Sequence, residues 1–148
     1  LLLDALGDSF GPHLPPFPDA AATIEALAGA GIPQAVASTS KGDRVDLALE
    51  RSGLAGWFGA VVAGDQVERP KPHPDVYLRA AELLGVDPAD CTAVEDTAHG
   101  CRAAVAAGMR VVGVVRVESQ RRPMEDLGAL VVDHVTPSQA VPGWGGAG

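Results

Sequence analysis

A chain of 148 residues, 47% of them apolar, has the length and composition of one globular domain with a single core. Its longest apolar runs fall short of the roughly 18 to 20 residues that span a bilayer, which excludes a membrane-spanning helix. A net charge of -8, from 11 basic against 19 acidic residues, argues against nucleic acid and anionic membrane as partners, so an anionic ligand has to be held by local groups.

The chain opens LLLDALGDSF, without an initiator Met, a basic segment or a long apolar stretch, and so reads as a piece of a longer open reading frame. Pro18 and Asp19 head AAATIEALAGAG, in which Ile24, Leu27 and Ala28 recur at helical spacing and Gly29 and Gly31 mark the exit. PQAVASTS follows as a short buried strand ending in hydroxyls. KGDRVDLALERSGL then carries Val45, Ala48 and Leu49 on one helical face. GAVVAG reads as a second strand, HPDVYLRAAELLG as a helix with Pro74 near its first turn and Gly85 past its end, and CTAVED as a third strand. HGCRAAVAAGM is a helix stopped by Gly108, and MRVVGVVR and ALVVD supply two further strands. Continuous apolar strands separated by helices predict an α/β fold, a doubly wound parallel sheet covered on both faces. The core is expected over residues 16–134, with a loose tail over 135–148 that ends PGWGGAG. Cys91 and Cys101 are too few for a disulfide framework and share no metal-ligand spacing with the four histidines. They read as reduced, buried thiols of a cytoplasmic protein.

Ligands of such sheets sit outside the carboxyl ends of the strands. After the first predicted strand stand Ser38, Thr39, Ser40 and Lys41, leading into a helix whose first N–H groups lack partners. They can cradle a phosphate or simply cap the helix. After the second comes RPKPHPD, where Pro70 and Pro72 clamp Lys71 and stiffen the loop that presents its ammonium. His73 reads as a solvated turn residue, and His99 and Arg102 as helix-surface residues. After the third stand Glu95 and Asp96. One acid would cap the next helix well, but two in succession after an apolar strand call for a counter-charge, and Mg²⁺ typically takes one or two carboxylates together with phosphate oxygens.

The stretches STSK, RPKPHPDVYLRAAELLGVDP and CTAVEDTAHGCRAAVAAGM, in this order from about Pro16 to Arg116, resemble motifs two, three and four of the haloacid dehalogenase superfamily. The similarity is to its β-phosphoglucomutase-like and phosphoglycolate-phosphatase-like branch. The resemblance implies a Mg²⁺-dependent phosphatase or phosphomutase that acts on a small phosphorylated metabolite through an aspartyl-phosphate, and a monomer at full length. It further implies that Ser38 bonds the transferring phosphoryl group with help from Thr39, Ser40 and Lys41, that Lys71 neutralises charge there, and that Glu95 and Asp96 hold Mg²⁺.

The family's nucleophile motif, Asp-x-Asp-Gly-Thr after a central strand, has no match. In LLLDALGDS, Asp4 follows three leucines, but Leu6 stands where the second Asp belongs. The expectation is therefore that Leu1–Phe10 is the last helix of a cap domain, that residues 1–15 are a remnant of cap and linker, and that the sheet lacks its middle strand and most of the cap. The nucleophile would lie outside this chain, leaving it inactive in isolation. A non-catalytic phospholigand-binding relative is the alternative. A dinucleotide-binding domain is disfavoured because no G-x-G-x-x-G follows any strand. A dehalogenase of the same superfamily, which needs no Mg²⁺, is disfavoured by the two acids.

Overall fold

The computed structural model describes residues 2–3 and 16–146. Its elements in chain order are β1 (Leu2–Leu3), α1 (Pro18–Gly29), β2 (Ala35–Ala37), α2 (Gly42–Ser52), β3 (Ala60–Val62), α3 (Asp75–Leu84), β4 (Thr92–Glu95), α4 (Ala98–Ala106), β5 (Arg110–Val114), α5 (Arg121–Asp126), β6 (Leu130–Val132) and α6 (Pro137–Ala140). The strands form one sheet in the order β3-β2-β1-β4-β5-β6, parallel throughout. No helix among the described residues is long and apolar enough to cross a membrane.

The expected α/β class and its helices and strands are present. Successive side chains of a strand face opposite ways, and the core divides accordingly. Ala35, Ala37, Ala93 and Val111 pack with α3 and α4 on one face, while Val94, Val112 and Val114 pack with α1 and Val135 on the other. Beside the latter, Val36 meets Val45 and Leu49 of α2. Cys91 and Cys101 are buried and unpaired.

The middle of the sheet departs from expectation. Leu2 pairs with Ala35 and Ala93, and Leu3 with Val36 and Val94, so these two residues are the middle strand rather than part of a cap helix. The reason is the hydrogen-bonding demand of β2 and β4, whose facing edges would otherwise present unpaired backbone groups that an apolar dipeptide can satisfy. The rest of the expected cap remnant and linker, residues 4–15, lies outside the described residues.

The tail also departs from expectation. Val135 and Ala140 are buried, and Val141 and Trp144 pack against the α1 face of the sheet. Pro137 opens α6 and Gln139 Oε1 accepts from the Thr136 amide at 2.8 Å, a local capping arrangement that sequence periodicity does not reveal in so short a helix. Six-residue α5 is likewise too short to show a period: Pro123 lies in its first turn and only Met124 is buried.

One ion pair ties these layers together. Arg116 at the exit of β5 donates to Asp19 at 2.8 and 3.0 Å, Asp19 also accepts from the Val135 amide at 2.9 Å, and the guanidinium lies 4.0 Å from the Phe17 ring centre. Burial opposes the charge on Asp19, but the hydrogen bonds from Arg116 and Val135 outweigh it and hold the carboxyl below its usual range. A depressed carboxyl contributes stability above its unfolded pKa and loses it as pH falls through the folded value. Asp19→Asn is therefore expected to cost about 1–3 kcal/mol at pH 7 and to lose less than the parent between pH 5 and pH 3, as read by urea unfolding at each pH.

Candidate active site

Lys71 lies in the loop between β3 and α3, and the prolines on either side restrict its backbone; the Lys71–Pro72 peptide is cis. Its side chain does not reach into solvent but turns under the carboxyl edge of the sheet. The ammonium donates to the Ala37 carbonyl at 3.2 Å, to the Tyr77 hydroxyl at 3.4 Å and to Glu95 Oε1. Both charged side chains are 1% exposed. Ala37 immediately precedes Ser38 and Glu95 immediately precedes Asp96, so one buried cation joins the strand ends that carry the predicted hydroxyls, ammonium and acids.

Around this ion pair the backbone is closely fitted. Ser38 is 2% exposed; its amide extends the sheet by donating to Val62 O at 2.9 Å, and its hydroxyl accepts from the Ser40 amide at 3.1 Å. Thr39 and Ser40 are half-buried and Lys41 is exposed. The amino end of α2 has a partner of its own, because the Gly42 amide donates to the Asp65 carboxylate at 3.1 and 3.3 Å. That amide is capped from another loop, and the Ser/Thr cluster does not have to cap it.

Glu95 and Asp96 have separate environments. Glu95 is buried and Asp96 is half-buried. The Glu95 carboxylate rests against Gly100 in the first turn of α4, where a Cβ would come within 2.0 Å of Oε2, and it accepts a hydrogen bond from the Tyr77 hydroxyl. Its first role is thus as counter-ion to Lys71. Thr97 caps α4 by accepting from the Gly100 amide at 3.1 Å, leaving that job to neither acid. Among the described residues no three His, Cys, Asp or Glu cluster closely enough to hold a metal. Two adjacent carboxylates match a hard cation that fills its remaining positions with water and phosphate oxygens, so the donor chemistry fits Mg²⁺.

Tyr77, Asp65 and the glycines at 64 and 100 escaped the sequence reading, whereas His99, expected on the helix surface, is exposed there and also engages the lysine loop. His99 donates from Nε2 to the Lys71 carbonyl at 2.8 Å, holding the lysine loop from the α4 side. A visible signal for Tyr77 was a phenol on an otherwise small, apolar helix face made of Val76, Ala80 and Ala81. The cysteines are not part of the chemistry. Burial, then the charges of Glu95 and Asp96, push the Cys101 thiol up to about 12, and burial raises that of Cys91, which makes both poor nucleophiles.

A small cleft walled by Phe17, Glu95, Asp96 and Arg116 opens beside the acids. A larger cavity of about 200 Å³, lined by Ile32, Pro33, Cys91 and Val141, lies at the amino ends of β2 and β4, away from the clustered charges.

The family described as haloacid dehalogenase-like hydrolase matches residues 3–114. Protein CbbY of Rhodobacter capsulatus is 44% identical over 98 residues, covering 64% of this chain and 43% of that protein. A haloacid dehalogenase family hydrolase of Deinococcus radiodurans R1, solved with bound phosphate and sodium, superposes with a TM-score of 0.73 at 34% identity, covering 82% of this chain and 56% of that one. The β-phosphoglucomutase of Clostridium difficile gives a TM-score of 0.69 at 26% identity, covering 80% and 50%. The chain spans less than two thirds of the length of each of these proteins.

Proposed function

The chain belongs to the haloacid dehalogenase-like hydrolase family, and from that premise we propose that it carries the phosphate- and Mg²⁺-binding part of a phosphoryl-transfer site, phosphatase or phosphomutase, for a small phosphorylated metabolite. The observation that carries the reading is the buried Lys71 ammonium, bonded to Ala37 O and Glu95 where the strand ends meet. An amine taken out of water in a fixed place is poised to meet a transferring phosphoryl group without reorganising.

The roles divide as follows. Ser38, with Thr39, Ser40 and Lys41, binds and orients the phosphoryl oxygens. Lys71 offsets the charge that builds on the phosphoryl group and on the attacking carboxylate. Asp96 and Glu95 would hold Mg²⁺, which when bound supplies further charge neutralisation at the phosphoryl oxygens. A nucleophilic carboxylate belongs at the carboxyl end of the middle strand, where it forms and releases the aspartyl-phosphate. Asp4 follows β1 in the sequence, but Leu6 occupies the place of the acid/base partner. Without that partner an aspartyl-phosphate would form slowly and be released poorly, so this chain is assigned phosphoryl binding rather than turnover.

The test separates binding from turnover. Calorimetry on the 148-residue chain is expected to show inorganic phosphate binding in the presence of Mg²⁺, with Asp96→Asn weakening it about tenfold or more. Phosphate-ester hydrolysis is expected to stay at background and to be unaffected by Asp4→Asn. Absence of phosphate binding would sink the proposal. Hydrolysis abolished by Asp4→Asn would instead make Asp4 the nucleophile. The second reading, a non-catalytic phospholigand binder, is favoured by Leu6; phosphate binding with hydrolysis that stays at background even after Leu6→Asp would establish it.

A further inference from the structure

We infer that Tyr77 is a positioning residue whose hydroxyl fixes the Lys71–Glu95 pair and so sets how tightly the site holds phosphate with Mg²⁺; this rests on the phosphoryl-transfer reading. Tyr77 is fully buried on the face of α3 that packs against the sheet. Packing alone asks only for a ring there, and a buried hydroxyl is costly unless it is bonded. It donates to Glu95 Oε1, the same oxygen that receives Lys71. It also accepts from the Lys71 ammonium at 3.4 Å, and that ammonium lies 4.8 Å from the ring centre.

The tyrosine is itself firmly placed. It lies in the first turn of α3, and its amide donates to Pro74 O at 3.0 Å. Gly100 closes the opposite side of the Glu95 carboxylate, and His99 holds the Lys71 backbone. The hydroxyl is thus the contact that ties the orientation of the carboxylate to a rigid helix. Without it Glu95 keeps its ammonium partner but loses an anchor, and the ammonium loses an acceptor. Partners that orient ligating or charge-neutralising groups in this way typically change affinity by about 10- to 100-fold when removed.

Tyr77 is the chain's single tyrosine, so [¹³Cζ]tyrosine labelling gives one carbon resonance, that of the carbon bearing this hydroxyl. In the wild-type chain that resonance is expected to move when Mg²⁺ and inorganic phosphate are added together, and to move when Lys71 is changed to Met. By calorimetry, Tyr77→Phe is expected to bind inorganic phosphate with Mg²⁺ about tenfold more weakly. Leu78→Ala, at the next and 41% exposed position, should change neither readout. If wild type binds no phosphate, the functional reading fails and takes this inference with it. If wild type binds and Tyr77→Phe binds equally well, only the inference fails. Should Tyr77→Phe not fold, the wild-type resonance decides, and an unmoved line on ligand addition overturns the role.

Discussion

Replacing Lys71 by alanine is expected to lower phosphoryl transfer by about 10²-fold or more and to destabilise the fold by about 3–5 kcal/mol. The two effects share a cause. Lys71 and Glu95 are each 1% exposed at the side chain, so removing the ammonium strands a carboxylate where water cannot compensate it. The Tyr77 hydroxyl still donates to Glu95 but carries no net charge. A double substitution separates chemistry from stability, because a buried pair can often be replaced whole by neutral groups of similar volume at little cost. Lys71→Met with Glu95→Gln should recover most of the lost stability in urea unfolding of the 148-residue chain. Phosphoryl transfer, read with Leu6→Asp in the background to restore the acid/base position, should stay low because no positive charge faces the phosphoryl group. Recovery of both would show that Lys71 serves only the fold, whereas near-normal rates in Lys71→Ala would remove it from the mechanism.

Why this lysine could be singled out from sequence, while the state of its charge could not, follows from the range of the interactions involved. Pro70 and Pro72 restrict the backbone at neighbouring positions, and such local restraints are written in adjacent letters. The partners of Lys71 lie 34, 24 and 6 residues away, and only the fold brings them together. The same distinction explains Glu95 and Asp96. Their adjacency after an apolar strand announced a need for counter-charge, but a metal and a buried lysine answer that need equally well on paper. The structure gives Oε1 of Glu95 to Lys71, while both Glu95 and Asp96 still line the cleft beside it. Long elements with a repeating apolar face, α1 to α4, were legible, and so were the continuous apolar strands. Leu2–Leu3 was not, because a dipeptide has no period and its assignment comes entirely from the empty edges of β2 and β4. The cap of α2 shows the same limit, since Asp65 reaches Gly42 from 23 residues away.

Gly64→Ala is expected to destabilise the chain by about 3 kcal/mol and to weaken phosphate binding together with stability. A Cβ built on Gly64 would stand 2.3 Å from the Thr39 carbonyl oxygen and 2.8 Å from its carbon. These are backbone atoms of the loop that holds Ser38 to Lys41, so no side chain can rotate aside to make room. The loops after β2 and β3 are fastened at that point: the Gly64 amide donates to Ser40 O at 2.9 Å and the next residue, Asp65, caps Gly42. A methyl wedge parts them, costing the inter-loop hydrogen bond, about 1 kcal/mol, and the cap, about 0.5–2 kcal/mol. Gly100→Ala is a softer case, because the atoms in its way are the far end of Glu95, which can swing at the expense of its bond to Lys71. Gly29→Ala supplies the control. Gly29 lies within α1 with nothing within 4 Å of an added Cβ, and alanine there should raise stability by about 0.5–1 kcal/mol. If Gly64→Ala proved as harmless as Gly29→Ala in urea unfolding, the close approach of the two loops, and with it the fixed placement of the Ser38 to Lys41 loop, would have to be abandoned.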